Sequence, residues 1–221
     1  MQLFTLETGW ELCRKDLRYS VARLRAAGSH GKQVAALTAA LASWKSTDTE
    51  REEADDAVDD ANAVVGWVDE QLDERVTNFS ARLLVAAGND RKAPMYTAFF
   101  RETPSDVTRL ALEAEVQHVA AWRHVREEVK LPDDVAAALD EVHALEDRGR
   151  EALRVREDAL RMQGRVALRQ QQWREEANLT RRHPGPAHAA HGTKHRRERD
   201  HSARDFRAPT RPAEQRALTA P

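Results

Sequence analysis

Residues 54–83, "ADDAVDDANAVVGWVDEQLDERVTNFSARL", decide the fold. Ala54, Val58, Ala61, Val65, Val68, Leu72, Val76, Phe79 and Leu83 return at steps of three and four, with charged residues at many of the positions between. Such a stripe is the mark of an amphipathic helix burying one side. The mean step is about 3.6, which reads as a straight α-helix and not as the 3.5 repeat of a sustained supercoil. Thr47-Asp48-Thr49-Glu50 has the form of a capping box and sets the expected start. Gly88 sets the end as a C-cap. The result is a helix of roughly 40 residues and about 60 Å. A helix this long needs a partner of similar length.

Upstream, Thr8-Gly9-Trp10-Glu11 is a second capping-box pattern, and Trp10, Cys13, Leu17, Val21 and Leu24 follow on one face. "GSHG" at 28–31 interrupts, since two glycines cost a helix roughly 2 kcal/mol. The alternative is one continuous helix with both glycines turned inward. Val34, Leu37, Leu41 and Trp44 continue the stripe, and a turn near Ser46 is expected to fold this segment back antiparallel to the long helix.

Downstream, Ser105 and Asp106 after Pro104 open a third long helix, with Val107, Leu110, Ala111, Ala114, His118, Ala121, Trp122 and Val125 inward. "LPDD" at 131–134 is a turn into a fourth helix whose inner face begins Val135, Leu139, Val142, Leu145. Arg156 and Gln163 interrupt that stripe, so the second half is expected to project from the bundle or pack loosely. The fold class is all-α: a bundle of long antiparallel helices over residues 1–180, with a tail over 181–221. The tail holds five of eight prolines and almost no large apolar side chain, a composition of disorder.

The charged fraction is 33% and the apolar fraction 41%, enough for a core under a heavily charged surface. The net charge of −2 divides into +6 for residues 181–221 and −8 for the rest. Cys13 is the sole cysteine, which excludes an intrachain disulfide and a cysteine-rich zinc module. It lies in step with an apolar face and reads as a buried thiol. No secretory signal precedes the first charges, and the longest apolar run, "VAALTAALASW", falls short of the about 20 residues a membrane helix needs. A cytoplasmic protein is expected.

The candidate chemistry is sparse. Glu115 with His118, and Asp140 with His143, each have the i, i+3 spacing of di-iron carboxylate bundles, but the first two helices offer no inward carboxylate to complete the set. His188, His191, His195 and His201 are spaced for a transition metal but lack a scaffold. Arg150, Arg154, Arg161 and Arg165 line one side of the last helix, and Arg196 and Arg197 lie in the tail, a pattern suited to phosphates. No glycine-rich phosphate loop, nucleophile elbow or Cys–His pairing occurs, so neither an enzyme nor a cofactor or metal is expected. The acids from Asp48 to Asp60 read as a solvated helix start, with those past the first turn suited to a basic partner.

Only 5% of residues are aromatic, yet Tyr96, Phe99 and Phe100 gather between two helices at the spacing of a single helical turn. They either close the end of the bundle or stand exposed as an anchor for a partner or a second copy. The acidic hairpin, its Gly-Asn-Asp cap, "APMYTAFFRETPSDV" at 93–107 and the second hairpin together resemble a group of uncharacterised bacterial all-helical proteins with an aromatic, Pro-containing connector. The resemblance spans about residues 34 to 175 and implies a helical fold but no activity. The expected role is a structural, scaffolding or protein-interaction bundle, with self-association included; nucleic-acid or polyanion binding is the alternative.

Overall fold

The computed structural model describes residues 3–28 and 30–182. Among these all regular structure is helical: α1 Trp10–Ala26, α2 Gly31–Ala86, α3 Pro94–Phe99, α4 Pro104–Val107, α5 Leu112–Ala120, α6 Trp122–Glu128 and α7 Asp133–Arg182. No helix among them is long and apolar enough to cross a membrane. The chain divides into two compact units, residues 1–39 with 176–221 and residues 40–175, with α2 and α7 contributing to both. Arg196, Arg197, the tail histidines and the expected disorder lie outside the described residues.

In the first unit, α1 buries Cys13, Leu17, Val21 and Leu24 as its spacing predicts. Its start differs from expectation. Gly9 is the N-cap without a side-chain bond, and the Thr8 hydroxyl accepts from the Thr5 N–H instead. Gly28 adopts φ +72°, a left-handed geometry that glycine enters without strain, so the helix does break there. Near the chain start, Phe4 exchanges two 2.8 Å backbone hydrogen bonds with the Asn178 amide, and the Arg181 guanidinium sits 4.0 Å above its ring. That stacking covers a cation whose charged form burial disfavours.

The second unit corrects the expected turn at Ser46. α2 passes through it unbroken. The Thr47 and Thr49 hydroxyls donate to the carbonyls of Ser43 and Lys45, four residues back, so the apparent capping box is satisfied inside the helix. The acids after Asp48 are thus mid-helix, where the helix dipole offers nothing. The predicted C-terminus holds: Gly88 has φ +70°, and the Asn89 N–H reaches back to Leu84 O.

α2 pairs with α7. Glu50 meets Arg169, Asp55 meets Gln163, Val68 lies against Gly149, and Arg75 meets Glu141. One number rises as the other falls, so the two are antiparallel. From Trp44 to Leu72 the inward residues of α2 step strictly three and four: 44, 47, 51, 54, 58, 61, 65, 68, 72. From Leu145 to Trp173, α7 answers with 145, 149, 152, 156, 159, 163, 166, 170, 173. Over these windows the step averages 3.5, while the expected stripe from Ala54 to Leu83 is inward throughout and keeps its mean of about 3.6. The second half of α7 therefore does not project; Arg156 and Gln163 hold seam positions in register.

The segments α3–α6 cover one end of this pair and build the main core with residues 65–87 and 125–153. We call this end the head and the uncovered stretch of the pair the stalk. The expected third long helix is instead α4, α5 and α6. Asp106 accepts hydrogen bonds from the Thr103 N–H and hydroxyl to start α4, and a turn over 108–111 restarts the helix at Leu112. The restart changes the phase. Leu112, Glu115, Val116, Val119 and Trp122 face inward, while Leu110, Ala111, Ala114 and Ala121 are exposed.

Candidate interaction surface

The aromatic segment belongs to the head core. Tyr96, Phe99 and Phe100 are 3–4% exposed. Phe79 of α2 sits among them, 5.3 Å edge-on to Phe99, 5.8 Å from Phe100 and 5.4 Å from Trp122. The Tyr96 hydroxyl finds Ser80 Oγ at 2.9 Å, satisfying its polar end. Of the two readings the sequence offered, closure of the bundle end and an exposed partner anchor, this burial fits the first, and the three rings offer no surface to a partner in this structure.

The arginine row on α7 is exposed but largely compensated. Arg150 Nη2 lies 2.6 Å from buried Glu146, Arg154 pairs with Glu151 and Asp158, and Arg161 pairs with Glu157 and Asp158. Arg165 is exposed. Pairs of this kind cancel much of the outward field that a phosphate backbone would meet. On the neighbouring face of α7, Arg123 of α6 grips Glu146 and Asp147, and Arg126 grips Asp140, fixing α6 to α7. His143 is buried beside this network, and desolvation together with Arg123 lowers its pKa, leaving it neutral. His118 stacks edge-on against Trp122 at 5.8 Å. Asp140 is engaged by Arg126, so the two carboxylate–histidine pairs serve packing contacts of different kinds.

The phase change brings in a group that sequence spacing missed. Glu115 is 0% exposed and faces Asp69 and Asp73, one turn apart on α2. Burial, and next the charges of Asp73 and Asp69, push its pKa up to about 8. Among the described residues no donor satisfies its oxygens, so Glu115 holds a proton and Asp73 is the acceptor. No group of three or more His, Cys, Asp or Glu side chains among the described residues is arranged to hold a metal ion.

Two open clefts flank the head. One of about 470 Å³ lies between α5 and α7, floored by Val116, Leu153 and Leu160 and rimmed by Arg150, Arg154 and Glu113. The other, about 320 Å³, is lined by Phe99, Arg101, His118 and Trp122. Neither brings a nucleophile together with a base.

The stalk surface is the more distinctive region. Between Arg51 and Arg75, α2 carries ten Asp or Glu and no Lys or Arg. Within this acidic stretch Val64 and Trp67 are each 50% exposed, off the seam. Their being out of step with the stripe was the signal available in the sequence. Heptad spacing from the Glu50–Arg169 contact sets Ala57 opposite Met162, Val64 opposite Val155 and Gln71 opposite Arg148 along one edge of the pair. Val155 is 45% exposed. Compared with protein-family models, curated proteins and solved structures, the chain matches none.

Proposed function

We propose that this protein is a non-catalytic interaction or scaffolding module that presents its stalk to protein partners. One observation carries the reading: of the ten Asp or Glu on α2 between Arg51 and Arg75, only Glu52, Asp55 and Glu74 are in ion pairs among the described residues, and the same stretch exposes Val64 and Trp67. Tryptophan is enriched among the residues that carry binding energy at protein interfaces. The head, by contrast, consumes its aromatics in its own core. Polyanion binding through Arg150, Arg154, Arg161 and Arg165 is disfavoured by the carboxylates paired with the first three, and that reading rests on Arg165 and the tail.

A photo-crosslinking residue introduced singly at Asp56, Trp67 and Leu168 on the stalk, and at exposed Thr97 on the head, tests the proposal in the source cell. Reproducible protein adducts from stalk positions are expected. An absence of protein adducts from every stalk position would overturn it.

A further inference from the structure

The joint between α5 and α2 closes over three carboxyl groups and no cation. Glu115 of α5 is 0% exposed and faces Asp69 and Asp73 of α2, and one oxygen of each aspartate is buried there without a donor among the described residues. Burial holds both aspartates above the ordinary carboxylate range as well. The charges that act on Glu115 are those of Asp73 and then Asp69. Its place in the first turn of α5 favours an ionised carboxylate, but full burial against two like charges outweighs that pull. Among the described residues no other element supplies a counter-charge. On α7, which meets α5 where Val116 lies against Gly149, the neighbouring charges are Glu146, Arg148 and Arg150. Glu146 is paired with Arg150 and with Arg123 of α6, and Arg148 is exposed. His118, one turn along α5, stacks on Trp122.

The segments beside α5 are fixed by other means. Arg123 on Glu146 and Asp147, and Arg126 on Asp140, clamp α6 to α7, and the Tyr96 hydroxyl on Ser80 ties α3 to α2. α5 has a break at each end, the turn over 108–111 and the junction at Ala121, so its movement leaves those clamps in place. We infer that the α2–α5 joint is a proton latch: the hydrogen that Glu115 donates to Asp73 holds α5 down, and its loss lets α5 open locally while α2, α6 and α7 stay packed. Short segments joined by breaks are where such local openings arise. In the opened form the Glu115 carboxyl reaches water and ionises near its ordinary value of 4.5, whereas in the closed form it ionises at about 8. Opening therefore becomes easier as pH rises from the first value and levels off above the second, by up to about tenfold per pH unit between them. Acid tightens the latch across the range in which cells and their compartments differ. The latch goes beyond the interaction-module reading and does not depend on it.

Amide hydrogen exchange of the full chain at pH 6 and pH 8, corrected for the intrinsic pH dependence of exchange and read by mass spectrometry, follows the opening segment by segment. Protection of the α5 amides is expected to fall at least tenfold from pH 6 to pH 8. At pH 8 it should lie at least tenfold below that of α6 and α7, the sign of an opening smaller than global unfolding. Glu115→Gln keeps a donor for Asp73 and cannot ionise, and should hold the change in α5 below twofold. Asp73→Asn removes the nearest like charge and should shrink the change at least threefold. Unchanged helical circular dichroism verifies that both variants fold. If Glu115→Gln does not fold, the carboxyl carbon resonance of Glu115 in the parent decides, with a midpoint at least two pH units above 4.5 expected. No fall in α5 protection, an equal fall in Glu115→Gln, or a Glu115 midpoint near 4.5 overturns the inference. So does α5 exchanging at the rate of α7 at pH 8, which assigns the proton's loss to unfolding of the whole head.

Discussion

The two ends of the α2–α7 pair are built to different standards. In the head, rings of Phe79, Phe99, Phe100 and Trp122 lie 5.0–6.2 Å apart and α5 approaches α7 over Gly149. Midway along the stalk, the seam is made of Ala54, Val58, Ala61 and Ala159, with Arg51, Arg156 and Gln163 among them and a hollow of about 150 Å³, before buried Trp44 and Trp173 farther along. Aromatic side chains bury 150–250 Å² each by typical values, several times an alanine's share. Helices can thus stay paired through a stretch whose seam is made largely of small side chains. The stalk leaves Val64, Trp67 and several carboxylates exposed.

The largest test of this contrast removes one side chain from each end. Phe79→Ala is expected to cost about 3–5 kcal/mol in urea unfolding, because the surrounding rings cannot collapse into its space. Val58→Ala in the stalk is expected to cost only about 1–2 kcal/mol. Equal losses would break the comparison.

Next comes protonation. Glu115 is held above its ordinary value, so the head favours the protonated form. That stabilisation is complete below the ordinary value near 4.5 and is lost as pH rises through about 8. Stability should fall across this window by at most about 1.4 kcal/mol per pH unit from this group. Glu115→Gln should flatten the fall and leave the variant more stable than the parent at pH 8, as read by thermal melts across pH. Unfolding profiles of parent and variant that run parallel would contradict the assignment.

Three glycines sharpen the contrast at smaller scale. A methyl group at Gly149 would meet Val116 Cγ2 at 2.7 Å, and Gly149→Ala is expected to destabilise by about 1–3 kcal/mol. At Gly66 and Gly164, nothing lies within 4 Å of the added carbon. Alanine there should stabilise by about 0.5–1 kcal/mol each, through helix propensity alone. Differential scanning calorimetry of the three variants checks both signs.

The long stripe of α2, the break at Gly28, the cap at Gly88 and the all-helical class were readable because apolar spacing and glycine conformation are local properties. Three features were not. The Thr47–Glu50 pattern fits a helix start and a helix interior equally well, since a threonine hydroxyl bonds its own preceding turn as readily as it caps. The phase of the segment after Pro104 depends on a four-residue turn at 108–111, and with it the burial of Glu115, which is why that carboxylate was paired with His118 on spacing alone. Arg156 and Gln163 looked like interruptions, because their register becomes visible only beside α2. As for the surface, the acidity of α2 was plain, whereas the edge formed by Val64 and Val155 exists only once the two helices are paired.

That pairing is the claim on which the stalk, its exposed edge and the proposed partner all depend. In a Cys13→Ser background, Val58→Cys with Ala159→Cys places two thiols in one seam cluster, and Val58→Cys with Val166→Cys displaces one by two turns. Mild oxidation of the dilute protein should cross-link the first pair within a single chain and leave the second reduced. A cross-link in the displaced pair, or only between chains in either, would contradict the antiparallel register.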